Sequence, residues 1–172
     1  DEVLDIALTP NLNYCASVFG VARELSILLE QPLTPSTVTY TEDTAHTTED
    51  AIKVTINNRE SCPRYACQLI TNITVAPSPS WLVHTLTKAG VRPTNNVVDV
   101  TNYILLKYGH PLHAFDYDLL AGKTIVVQHA LKGQKLTTLD GVERTLDTSH
   151  LLICDKDKPI ALAGIMGGLE TE

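Results

Sequence analysis

TIVVQHALKGQKLTTLDGVERTLDTSHLLICDKDKPIALAG, residues 124–164, decides the fold class. It breaks into five short runs: TIVVQHA (124–130), QKLTTL (134–139), VERTL (142–146), LLIC (151–154) and PIALAG (159–164). Each is rich in β-branched or aliphatic residues and is bounded by turn formers, the pattern of short strands. Asp140-Gly141 falls between the second and third runs. That dipeptide predicts a type I′ hairpin, whose two central residues both need positive φ.

Working outward, IKVTIN (52–57) alternates as a strand and RYACQLITNITV (64–75) reads as a second, longer one. SPSWLVHTLTKAG (78–90) carries helix punctuation, with Ser78 as cap, Pro79 in the first turn and Gly90 as stop. Trp81, Leu82, Leu86 and Ala89 are expected on its buried side, which makes Trp81 a core residue. A second helix is predicted from Asn96, as cap, through Val97, Val100, Ile104 and Tyr108 to the stop at Gly109.

The N-terminal DEVLDIALT (1–9) alternates as a strand, and apolar positions from about Asn13 to Leu29 recur at helical spacing with Asn13 as cap. Residues 34–50 hold seven threonines and almost no large apolar side chain, a composition that builds no core and reads as a linker. There is no internal repeat. The expected organisation is a strand-helix fragment over 1–33, the linker over 34–50 and one domain over 51–172. The fold class is α+β, with a mixed, mostly antiparallel sheet and helices packed on it.

Composition narrows the function. The chain has 172 residues, 44% of them hydrophobic, enough for a real core. No apolar run approaches the roughly 20 residues of a membrane span. A net charge of -7 argues against gripping duplex nucleic acid by phosphate neutralisation, though a pocket for one end of an RNA held elsewhere remains open. Cys15, Cys62, Cys67 and Cys154 lack paired Cys-x-x-Cys spacing, so they read as free thiols in a reducing compartment. With no initial methionine, no leader-like segment and no closing element after Leu169, the sequence is expected to be a piece of a longer protein.

The densest chemistry lies in LLKYGHPLHAFDYDLL (105–120), where His110, His113, Asp116 and Asp118 fall within nine positions. His110, His113 and Asp116 step by three, as on a helix, but Gly109 and Pro111 flank His110 and oppose one. A metal site from a loop would need further ligands, and the alternative is a turn whose histidines bond to backbone. Gly-x-Ser-x-Gly and the phosphate-loop motif are both absent. ALAGIMGG (161–168) matches no dinucleotide fingerprint; it is either a tight strand turn or a place where backbone approaches a ligand closely.

GVRPTNNVVDVTNYILLKYGHPLHAFDYDLL, followed by TLDGVERTL, LLICD and ALAGIMGG, resembles the B3/B4 domain of the β subunit in the bacterial phenylalanyl-tRNA synthetase family. DEVLDIALTPNLNYCASVFGVARELSILL resembles the part of the B1 domain that precedes it, and the likeness covers nearly the whole chain apart from the linker. The ordered combination of VVDVTNY, HPLHAFD and AGIMGG is very specific.

The resemblance implies an editing module that hydrolyses mischarged Tyr-tRNA(Phe). A pocket shaped for phenylalanine rejects tyrosine weakly, because an added hydroxyl costs little; a second site that hydrogen-bonds the hydroxyl turns the preference round. Carried over by motif, Arg92 and His113 face the tRNA terminus and the ester. Thr101 and Asn102 line the pocket, Asn102 orienting water or contacting substrate, and Gly167 forms the pocket floor. His113 and Asn102 are thus the catalytic candidates and Arg92, Thr101 and Gly167 the substrate-binding ones; His110, where the family often has glutamine, is incidental.

The implied site is metal-free, and ATP and magnesium serve only the full cytoplasmic α2β2 enzyme. Its implied partners are the 3′ end of tRNA(Phe), the tyrosine moiety and the α subunit, with neither membrane nor DNA. A non-catalytic, tRNA-positioning role is the alternative. Two departures from the family stand out. Thr9-Pro10-Asn11-Leu12 replaces the usual TPNR, and the sequence ends at Glu172, ahead of a glutamate and a Thr-Asp-Ala-Ser-like segment that the family's pocket uses.

Overall fold

The computed structural model describes residues 2–34 and 37–170. Four helices, α1 (Val18–Leu28), α2 (Thr48–Ala51), α3 (Ser80–Lys88) and α4 (Asn96–Tyr108), are joined by seven strands. These are β1 (Lys53–Ile56), β2 (Thr124–His129), β3 (Lys135–Thr137), β4 (Glu143–Thr145), β5 (Leu151–Cys154), β6 (Pro159–Leu162) and β7 (Met166–Gly167). They form two compact units, one from Asp1–Tyr40 and Thr74–Ala114, the other from Thr41–Ile73 and Phe115–Glu172. Among the described residues no helix is long and apolar enough to cross a membrane.

The first unit is helical. Ser17 caps α1, its hydroxyl oxygen accepting the Gly20 N–H at 3.0 Å, whereas Asn13, the expected cap, lies inside a 3-10 segment, Pro10–Cys15. Gly20 must be glycine: a Cβ there would sit 1.9 Å from the Tyr14 carbonyl oxygen. Residues 2–9 form no strand. Leu4, Ile6 and Leu8 alternate as a strand would but, like Val3, stay exposed, and an alternating pattern without a partner edge makes no ladder.

Helix α3 ends as its sequence predicts: Gly90, at φ 78°, and Val91 donate back to the carbonyls of Thr87 and Leu86, the two bonds of a Schellman motif. Its buried side is Leu82 and Leu86; Ala89 is exposed and Trp81, expected in the core, is 57% exposed. Trp81 lies one residue, about 100° of helix, off the buried stripe and meets Tyr103 edge-on instead, ring centroids 5.5 Å apart.

The second unit carries the sheet, in the order β1-β2-β5-β6-β7, with β3-β4 as a separate hairpin. β1 and β2 are parallel, Lys53 opposite Thr124, and every other pairing is antiparallel, as the mixed, mostly antiparallel expectation required. A parallel pair cannot be joined by a tight turn; here the chain passes through α3 and α4 between β1 and β2. LLIC is apolar throughout because both of its faces are covered. Leu152 and Cys154 pack with Ala130, Leu136, Leu146 and Leu162, while Leu151 and Ile153 pack with Leu120, Ile125, Val127 and Ile160.

Two strand expectations change. Residues 64–75 show the predicted alternation, with Tyr65, Cys67 and Leu69 half-buried, yet form no strand. The Leu69 N–H goes to the Thr48 hydroxyl at 3.2 Å, a side chain rather than a neighbouring strand. The β3-β4 hairpin exists, but its turn is not type I′. Gly141 alone takes positive φ (76°), Gly141 N–H donates to Thr138 C=O at 2.8 Å, and Thr138 N–H donates to Val142 C=O at 3.1 Å. That is a three-residue loop closed by a glycine bulge.

Candidate functional site

The motif that carries Thr101 and Asn102 begins with two asparagines that divide the work. Asn95, not Asn96, caps α4, its Oδ1 accepting the N–H groups of Val97 and Val98, each at 3.0 Å. Asn96 ties the helix start to residues 74–76: its Oδ1 accepts Ala76 N–H at 3.1 Å and its Nδ2 donates to Thr74 C=O at 2.9 Å. One turn on, Asp99 is fully buried. Its Oδ2 accepts the Ser78 hydroxyl at 2.5 Å and its Oδ1 accepts Thr94 N–H at 2.8 Å. Ser78, expected as the α3 cap, thus serves Asp99, and Pro79 takes the cap position.

Asp99 therefore fixes both the segment that carries Arg92 and the segment that enters α3. Sequence reasoning missed it. The available signal was one charged side chain set among the valines of VVDV, a position where a carboxylate is kept only if its oxygens are satisfied.

Thr101 and Asn102 follow, both half-buried on α4. The Thr101 hydroxyl donates to Val98 C=O at 2.7 Å, so its oxygen is left as an acceptor only. The Asn102 side-chain amide makes no hydrogen bond to the described residues, which leaves its two donors and its acceptor without a partner among them. Arg92 is exposed on the segment leading into α4. His113 is exposed on the segment leaving it, beyond Gly109, whose φ of 73° ends the helix.

Arg92, Thr101, Asn102 and His113 belong to the first compact unit and Gly167 to the second. Gly167 lies on β7, opposite Ala161, with its carbonyl accepting Leu139 N–H at 3.1 Å. β7 is a strand the sequence reading had not resolved. Its neighbour Gly168 is the glycine that packing demands: a Cβ there would meet the Ile160 carbonyl oxygen at 2.6 Å.

The histidine-rich stretch is not helical over 110–116. Asp116 caps the following 3-10 turn through Asp118 N–H at 2.9 Å, and Asp118 lies 3.5 Å from the Lys123 ammonium. Both acids thus have structural partners. Among the described residues no group of three His, Cys, Asp or Glu side chains is placed to hold a metal. Asp140 is held below the usual carboxylate range, first by the Thr138 hydroxyl bond and then by Val142 N–H and the Arg144 guanidinium, so it staples the hairpin.

Residues 61–172 match the family model described as B3/4 domain. Over its full 172 residues the chain is 50% identical to the phenylalanine–tRNA ligase beta subunit of Protochlamydia amoebophila (strain UWE25). It is 51% identical to that of Carboxydothermus hydrogenoformans (strain ATCC BAA-161 / DSM 6008 / Z-2901) and 45% identical to that of Bacillus cereus (strain ZK / E33L), again over 172 residues. In each case the chain spans 21% of the length of the curated relative it matches. The chain belongs to the B3/4 domain family and is similar from end to end to one segment of phenylalanine–tRNA ligase beta subunits.

Proposed function

We propose that this chain supplies the editing module of a phenylalanine–tRNA ligase, hydrolysing the ester of mischarged Tyr-tRNA(Phe). Residues 51–172 form the module, 1–33 a B1-like piece and 34–50 the connection between them. In the complete enzyme an α subunit, ATP and magnesium make Phe-tRNA(Phe), in an α2β2 assembly in the cytoplasm.

The observation that carries the reading is α4. It presents the unengaged Asn102 amide beside Thr101, with Arg92 on the segment entering the helix and His113 on the one leaving it. In the reaction, a water oxygen bonds to the ester carbonyl carbon, the bond to the tRNA 3′ oxygen breaks, and a proton passes to that oxygen. Asn102, with two donors and one acceptor, suits orientation of the water; Arg92 suits a terminal phosphate. Thr101, its proton committed to Val98, offers an acceptor to the tyrosine hydroxyl. That choice penalises phenylalanine, which would leave the acceptor unpaired. Gly167, on β7 of the second unit, enters the reading by motif alone, as the glycine where the family resemblance implies that no side chain is tolerated.

The test is hydrolysis of Tyr-tRNA(Phe), with Phe-tRNA(Phe) as control, by the complete ligase carrying wild type, His113→Ala or Gly167→Trp. Selective loss of Tyr-tRNA hydrolysis in both variants, with charging by phenylalanine intact, is expected. Unchanged hydrolysis in Gly167→Trp would overturn the pocket assignment, and a wild type that leaves the ester intact would leave a tRNA-positioning role in its place.

A further inference from the structure

The first unit carries a stripe of rings and cations that the hydrolytic reading does not use. Trp81 on α3, 57% exposed, meets Tyr103 on α4 at 5.5 Å between centroids. The Lys107 ammonium lies 5.4 Å from the Tyr103 centroid and 5.2 Å from that of Tyr108, which is 39% exposed. Tyr108 meets Phe19 on α1 at 5.8 Å, and the Arg23 guanidinium lies 4.6 Å from the Phe19 centroid. The order along the surface is ring, ring, cation, ring, ring, cation.

Helix packing alone does not call for this arrangement. Leu82 and Leu86 do the burying on α3, and the one tryptophan of the chain is left outward. The stripe is also cationic in a protein of net charge -7. Of the acids on these helices, Glu24 accepts the Tyr14 hydroxyl at 2.8 Å, and Asp99 is fully buried on its two donors. The Lys107 ammonium is stabilised in its charged form by the Tyr103 hydroxyl, so the cation between the rings persists.

We infer that this stripe is a docking surface for unpaired nucleotides of RNA, with bases stacking on Trp81, Tyr103, Tyr108 and Phe19 and phosphates meeting Lys107 and Arg23. Aromatic faces accept any unstacked base, and interleaved cations track the backbone between them. A duplex, whose bases are already stacked, gains only the charge term. The inference rests on the reading that the chain handles tRNA, and it adds a binding surface built from residues other than Asn102 and His113.

The test uses the complete ligase carrying wild type, Trp81→Ala, Trp81→Phe or Lys107→Glu. The probes are a short oligoadenylate, the same strand paired with oligouridylate, and Tyr-tRNA(Phe). Trp81→Ala is expected to weaken the single strand about tenfold, with Trp81→Phe close to wild type. Lys107→Glu should weaken it and lower the salt slope by about one. Both Trp81→Ala and Lys107→Glu should raise KM for Tyr-tRNA(Phe) with kcat unchanged. Equal single-strand affinity across all four proteins overturns the inference. So does an equal loss for single strand and duplex, which would mark general electrostatics. Two further results separate the two readings. A ligase that hydrolyses Tyr-tRNA normally with unaltered KM in these variants refutes the stripe alone. A ligase that leaves the ester intact while Trp81→Ala loses the oligoadenylate refutes the editing reading alone.

Discussion

Asp99 offers the sharpest test of how this structure is held. In Asp99→Ala, Thr94 N–H and the Ser78 hydroxyl lose acceptors at 2.8 and 2.5 Å. Hydrogen bonds to a charged group contribute roughly 1.5–3 kcal/mol each, which sets a gross loss of about 3–6 kcal/mol. Two effects reduce it. Removing a buried carboxylate also removes its desolvation penalty, and the Ser78 hydroxyl can rotate toward water. We expect a net loss of about 3 kcal/mol for Asp99→Ala. Asp99→Asn should lose only about 1 kcal/mol, because its carbonyl still accepts Thr94 N–H while its amide donates to the Ser78 oxygen. Trp81 is the single tryptophan and sits on α3, so its fluorescence during urea unfolding reports on this unit directly. Ser78→Ala and Asp99→Ala should be non-additive in a double-mutant cycle, because they share one bond. An Asp99→Ala midpoint indistinguishable from wild type, or strict additivity with Ser78→Ala, would refute the anchoring argument.

Gly168→Ala should cost roughly 1–3 kcal/mol in thermal unfolding, since its Cβ would lie 2.6 Å from the Ile160 carbonyl oxygen. Gly164→Ala meets open space and should cost only the strain of its φ of 70°, about 1–2 kcal/mol. Burial pushes the Tyr65 hydroxyl from 10.0 up to about 12. The unfolded chain ionises first, so stability should hold below pH 10.0 and fall as pH rises toward 12, and a Tyr65→Phe titration should be flatter there. Asp140 has the opposite sign. Its folded pKa is depressed below 3.8, so its contribution is full above that pH and lost as pH falls through the folded value; acid unfolding of Asp140→Asn should lack that component. Asn102→Ala should abolish Tyr-tRNA(Phe) hydrolysis while leaving the unfolding midpoint within about 0.5 kcal/mol of wild type.

Much of the fold was legible in the sequence where local pattern and burial agree. LLIC reads as a strand because both faces of β5 are covered, and Gly90 and Gly109 mark helix ends because each sits at positive φ. The misreadings share a cause: alternation and stripes describe one element, not its partner. Residues 2–9 and 64–75 alternate correctly, but no local signal says whether another strand will offer its edge. Trp81 reads as part of the buried stripe because neighbouring apolar positions blur the helical phase by one residue. Asn96 reads as the cap as readily as Asn95, since both asparagines fit the role; only the hydrogen bonds tell Asn95 from its neighbour. Asp140-Gly141 marked the hairpin but not its loop type, since the same dipeptide serves a type I′ turn and a glycine bulge.

Polar residues in a motif are not equally free to do chemistry, and the structure sorts them by what they already hold. In the run from Asn95 to Asn102, Asn95 is spent on the helix start, Asn96 on residues 74–76, and Asp99 on Thr94 and Ser78. Thr101 has committed its proton to Val98 and can only accept. Among the polar side chains of this run, that of Asn102 alone makes no hydrogen bond to the described residues, although the residue is half-buried, where an unsatisfied amide is costly unless water or a ligand meets it. The same logic removes Asp116 and Asp118 from the histidine-rich stretch, since the one caps a turn and the other faces Lys123. Loss of stability separates the engaged residues from Asn102 without reference to any reaction. Loss of hydrolysis without loss of stability is the signature that belongs to a residue whose partner is the substrate.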